Sequence, residues 1–155
     1  MPEESKTFMI EDARLIFRNF KGAEGEFNRK GERSFGIILP EKLAADLQRD
    51  GWNVKELRER EEGEGPTPFI SVSIRFDVFP PRVVLLTSTS RTALDETSIE
   101  ILDWADIRMV DVICRGYTWS VNGKEGIKAY VQSLFVTIEE DPLERKYSIH
   151  EHPAD

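Results

Sequence analysis

Asn122-Gly123 lies between two long stretches of alternating side chains, Val110 to Val121 and Gly126 to Ile138. Asn-Gly accepts two consecutive positive φ angles at little cost, as the tight turns joining twisted antiparallel strands require. The feature commits this part of the chain to a long β-ribbon, and strand parity sorts its side chains. Before the turn, Arg115, Tyr117 and Trp119 share a face, opposite Val112, Cys114, Gly116 and Thr118. After it, Lys128, Tyr130 and Gln132 share a face, opposite Ile127, Ala129 and Val131. A two-residue turn sets Tyr117 against Lys128 and Arg115 against Tyr130, whereas a four-residue turn sets Trp119 against Lys128 and Tyr117 against Tyr130. Either register gathers rings and cations on one face and small apolar groups on the other. Leu134, Val136 and Ile138 then reverse the parity, which predicts a bulge or bend.

The rest of the chain reads mostly as strand. Thr7 to Phe20 alternates as one long strand and Arg33 to Leu39 as a second, with the Gly- and charge-rich segment Lys21 to Glu32 projecting between them. Pro40 to Asp50 is the clearest helix: proline suits its first turn, Leu43 and Leu47 share a face, and Gly51 ends it. Glu56 to Pro66 reads as a mobile loop. Ile70 to Asp77 has one polar face, Pro80-Pro81 interrupts, and Arg82 to Thr87 reads as a buried strand. Residues 95–107 favour a short helix capped by Asp95, although Ile99 and Ile101 also alternate as in a strand.

At 155 residues the chain fits one domain with one core. Residues 1–140 are expected to form it, with 141–155 an acidic, disordered tail; residues 139–155 hold six acidic and two basic side chains. The expected class is mostly β, a small, partly open five-stranded barrel of the oligonucleotide-binding (OB) type with one or two short helices. A decorated β-sandwich is the alternative. Met1 to Lys6 does not resemble a signal peptide, and no stretch approaches the roughly 20 apolar residues of a membrane span. One cysteine, Cys114, excludes an internal disulfide and suits a reducing cytoplasm.

Net charge is −8, which argues against a polyanion partner until its distribution is considered. Residues 14–33 hold six basic against three acidic side chains, and residues 67–91 and 112–133 are also locally basic. The acid sits in 41–64, 95–111 and the C-terminal end. The usual catalytic motifs are missing: no Gly-Lys-Ser phosphate loop, no G-x-G-x-x-G, no G-x-S-x-G, and no histidine near Cys114 in sequence. His150 and His152 fall in the tail, and Glu139-Glu140 and Asp103/Asp106 have no evident third ligand. The expectation is therefore no enzyme and no metal site.

Rings interleaved with cations on a sheet are what single-stranded nucleic acid requires. Bases stack on aromatic faces at roughly 1–3 kcal/mol each, while Lys and Arg neutralise phosphates. The candidate DNA-binding residues are Arg18, Phe20, Lys21, Phe27, Arg29, Lys30, Arg33, Arg75, Arg115, Tyr117, Trp119, Lys124, Lys128 and Tyr130. The competing reading makes the same rings a second hydrophobic layer under Arg and Lys stems, or the face of a protein-interaction module. A small hydrolase is a third reading.

Three segments carry a resemblance: Ala13 to Phe20 (ARLIFRNF), Ile101 to Ile107 (ILDWADI) and Gly126 to Val131 (GIKAYV). Together they resemble the single-stranded-DNA-binding proteins of tailed-phage replication modules, over about residues 7–140. The resemblance implies an OB fold, a role in DNA replication or recombination in the host cytoplasm, no cofactor, and replication or recombination proteins as partners of an acidic C-terminal tail. Here the tail lacks the hydrophobic tip that many such tails carry. A homodimer is compatible with the sequence.

Overall fold

The computed structural model describes residues 6–26, 28–58, 63, 65–77 and 80–139. In chain order these form β1 (Thr7–Ile10), β2 (Arg14–Asn19), β3 (Arg33–Ile38), α1 (Glu41–Arg49), β4 (Val54–Leu57), β5 (Thr67–Ile74), β6 (Arg82–Leu86), β7 (Arg91–Leu94), a 3₁₀ helix (Ile99–Asp103), β8 (Ile107–Val121) and β9 (Lys124–Ile138). One sheet runs in the order β1-β8-β9-β5-β3-β2; β4 adds to β5, and β6, with β7 at its edge, adds to β9. The sheet is open, not closed into a barrel, and matches a partly open OB-like fold. Among the described residues no helix is long and apolar enough to cross a membrane.

The β8–β9 ribbon is the spine. Asn122 (φ 51°) and Gly123 (φ 79°) make a two-residue turn, with Val121 opposite Lys124. Cys114 then pairs with Val131 but Ile113 pairs with Ser133, so Gln132 is the extra residue of a bulge. That bulge restores the core face: Ile127, Ala129 and Val131 are buried before it, Leu134 and Val136 after it. Beyond the bulge β9 changes neighbour, from β5 at Ala129 and Tyr130 to β6 at 133–137, both in parallel.

Helix α1 ends as its sequence requires. Gly51 adopts φ 98°, its N–H donates to the Gln48 carbonyl (3.2 Å), and the Trp52 N–H donates to that of Leu47 (2.9 Å). This paired C-cap delivers the Trp52 ring into the core, edge-on to Phe8 at 4.9 Å. Trp52 fits because Gly116 has no side chain; a Cβ there would lie 2.6 Å from the indole.

Several expectations are corrected. Thr7 to Phe20 is two strands, because Asp12 turns left-handed (φ 52°) with its N–H on the Asp111 carboxylate. β1 consequently pairs with β8, and β2 with β3. The loop expected over Glu56 to Pro66 begins inside β4, whose Leu57 pairs with Thr67; residues 59–62 and 64 lie outside the described ones. The helix expected over 95–107 is a single 3₁₀ turn, and β7 was not anticipated. Among the described residues the sheet has nine strands where five were expected; β1, β4 and β7 have four residues each, too few to announce themselves by alternation.

Candidate nucleic-acid interface

The two-residue turn fixes which rings meet which cations. Tyr117 lies opposite Lys128, Arg115 opposite Tyr130, and Trp119 opposite Gly126. Gly126 leaves room for the indole, since an added Cβ would sit 2.8 Å from Trp119 Cζ2. Trp119 is thereby laid along the ribbon with 38% of its surface exposed. Tyr117 stands edge-on to Tyr130 at 6.3 Å, and Lys128 Nζ lies 5.3 Å from the centre of the Tyr130 ring.

Tyr130 neighbours Ser73 of β5, which neighbours Ser34 of β3. The outer face therefore continues from the ribbon across a floor of small hydroxyl side chains. It forms an open groove of about 800 Å³ whose walls carry Trp119, Tyr130 and Lys128 from the ribbon, Lys55 from β4, Arg75 just past β5, Lys30 from the loop before β3, and Arg33 at the start of β3. Glu32, Asp77 and Glu96 also line it, so the field is positive but moderated. Asp77 grips Arg75 through two bonds (3.1 and 2.7 Å) and pushes its already high pKa higher. Arg33 stacks over Phe76 at 5.7 Å and donates to the Glu96 carbonyl, while its buried Nε has no hydrogen-bond partner among the described residues.

The candidates named from sequence divide into groups. Lys30, Arg33, Arg75, Trp119, Lys128 and Tyr130 converge on the groove. Arg115 (3.5 Å from Gln132 Oε1) and Tyr117 share the ribbon's outer face beside it, and Lys124 is exposed at the turn. Lys21 and Arg29 are exposed but do not line the groove. Arg18 is exposed and lies away from the groove: it donates to the carbonyls of Leu102 and Ala105 (2.9 and 3.0 Å), and Asp103 accepts from the N–H groups of Phe20 and Lys21. Phe20 is corrected outright. Its side chain is fully buried and stacks on Phe35 at 5.2 Å, so it offers no face to a ligand. Phe27 lies outside the described residues, as does the tail at 141–155.

The projecting segment Lys21 to Glu32 is braced by side chains at its base and within it. Asn28 Nδ2 donates to the carbonyls of Ala23, Arg29 and Glu32, and Asn19 Oδ1 accepts from the N–H groups of Gly22 and Ala23. Lys55, Ser71 and Ser73 were missed. The alternation of β5 marked its serines as one polar face, but only the pairing with β9 puts that face in the groove. Lys55 gave no signal, because its strand is too short for periodicity.

Solved structures of phage proteins share this fold. The bacteriophage Enc34 single-stranded DNA-binding protein in complex with ssDNA superposes with a TM-score of 0.55 at 12% identity, over 88% of each chain. The same protein as determined separately superposes at 0.54, with 12% identity, over 96% of this chain and 87% of that one. At such identity the likeness shows the fold alone. No curated protein matches the sequence. A family model described as a phage ssDNA-binding domain matches residues 3–154, nearly the whole chain, and by that match the protein belongs to the phage ssDNA-binding domain family.

Proposed function

We propose that the chain is a non-enzymatic single-stranded-DNA-binding protein that holds unpaired DNA across the β9–β5–β3 face and protects it during phage-type replication or recombination in the host cytoplasm. The observation that carries this reading is the convergence of Trp119, Tyr130 and Lys128 with Lys55 and Arg33 in one groove over a serine floor. Rings accept any base, cations take the phosphates, and a floor of small side chains leaves the strand room to lie down. The net charge of −8 works against loose binding to duplex, which offers phosphates but no exposed rings. In this reading the acidic residues 141–155 compete with DNA for the groove at high effective concentration and are available to replication or recombination proteins.

The test is a gel shift of single-stranded against duplex DNA of equal length, followed by a salt titration on oligo(dT). Preference for the single strand and a steep fall of affinity with salt are expected. A chain ending at residue 141 should bind more tightly at low salt. Equal affinity for both DNA forms, or none for either, would leave the protein-interaction reading of the same face in its place.

A further inference from the structure

We infer that Phe17 is a second base-stacking platform, at the opposite end of the same sheet face from Trp119 and Tyr130; this rests on the single-strand reading above.

Two choices at Phe17 run against folding. Its backbone is left-handed (φ 51°), a conformation disfavoured for any residue with a Cβ and unusual for an aromatic one. The residue is 66% exposed, although burying its ring is what the hydrophobic effect favours. A regular strand would do neither. Leu15 packs against the core, so strict alternation would send Phe17 there as well. Instead the register of β2 on β3 slips between Ile16 and Asn19, and this bulge turns the ring outward. Ile16 already occupies the outer face, over Gly36, where a Cβ would meet its Cγ1 at 2.8 Å. Phe17 joins it there and meets Phe69 edge-on at 5.7 Å. Glycine or asparagine would hold the same bulge more cheaply, but neither would present a ring. Bulges that re-aim a side chain are over-represented beside functional sites.

The placement links this ring to the groove. Tyr130 neighbours Ser73, Ser73 neighbours Ser34, and Ser34 neighbours Asn19 of β2, in one row across the sheet. From β9 to β2 is three strand spacings, about 14 Å. Phe69 neighbours Lys55, which lines the groove. A strand leaving Tyr130 across the serines thus passes a cation before reaching Phe17 and Phe69. The rings at the two ends and the small floor between them suit a single strand running across the β-strands.

The experiment compares wild type, Phe17→Gly, Phe17→Tyr and Trp119→Ala on an oligo(dT) of about 20 nucleotides, longer than one OB-type site. Glycine suits a positive φ, so Phe17→Gly is expected to fold and to melt no lower than wild type. It should bind about 5- to 150-fold more weakly, the loss of one stacked base, while Phe17→Tyr binds like wild type. In parallel, an oligonucleotide carrying 5-iododeoxyuridine is photo-cross-linked to the unaltered protein and the modified peptides are mapped. A cross-link at Phe17 supports the platform, and cross-links at Trp119 or Tyr130 without one at Phe17 overturn it. Wild-type affinity in Phe17→Gly beside weakened binding in Trp119→Ala also overturns it and leaves the single-strand reading intact. A Phe17→Gly variant that changes only in sedimentation overturns it in favour of contact between copies of the chain. No binding by the wild type removes both readings.

Discussion

The inner and outer faces of the β8–β9 ribbon run along the same two strands with opposite chemistry. Inward, Val110, Val112, Cys114, Ala129 and Val131 are closed off from water. Outward, Tyr117, Trp119, Lys128 and Tyr130 combine rings with charge. Aromatic pairs in the core and on the ribbon's outer face differ in the same way. Phe20 and Phe35 lie nearly parallel (22°) and are fully buried, whereas Tyr117 and Tyr130 stand at 79° with Tyr117 58% exposed. A buried ring acts on stability through the water it sheds, and an exposed ring is free to act on a ligand.

If that division is right, changes on the two faces should separate cleanly, and the largest effect should be inward. Phe20→Ala leaves a cavity against Phe35 and is expected to lower unfolding free energy by about 3–5 kcal/mol, read by urea denaturation. The fraction that stays folded should bind oligo(dT) normally. A normal melt with lost binding would move Phe20 back among the DNA contacts.

Trp119→Ala should do the reverse. Oligo(dT) affinity is expected to fall by roughly 1–3 kcal/mol while the urea midpoint barely moves, because the indole rests on Gly126 outside the core. A large loss of stability with unchanged affinity would make the ring a second packing layer.

Cys114 gives the smallest and most conditional effect. Burial pushes its thiol well above the ordinary range, so the folded state keeps the proton where the unfolded thiol, near pKa 8.5, releases it. Above that pH the unfolded state binds fewer protons than the folded one, and stability falls as pH rises. The expected loss is about 1.4 kcal/mol at pH 9.5 and close to nothing below pH 8. Stability curves of wild type and Cys114→Ala isolate the effect: the difference between them should change above pH 8.5 and not below it. A constant difference would mean that the inner face admits water.

Much of the site was legible because the ribbon is local. The Asn122-Gly123 turn, the face shared by Arg115, Tyr117 and Trp119, and the parity reversal that marks the bulge at Gln132 all follow from neighbours in sequence. Phe20 was misplaced because aromatic-beside-cation reads alike on an exposed loop and at the edge of a core. The tie of Arg18 to the 3₁₀ helix region could not be read from sequence because its carbonyl partners are more than eighty residues away.

What the sequence determined by itself was parity: which side chains of a strand must travel together, and where that grouping switches. This is a property of the alternating backbone and needs no partner. What only the tertiary structure decided was which strands lie side by side. The parallel contact of β9 with β5 brings Ser73 to Tyr130, the pairing of β4 with β5 brings Lys55 to the groove, and the slip of β2 on β3 turns Phe17 outward. Such pairings join residues far apart in the chain through hydrogen bonds that every backbone can make. The local pattern therefore offers many equivalent partners, and only packing of the whole core selects among them.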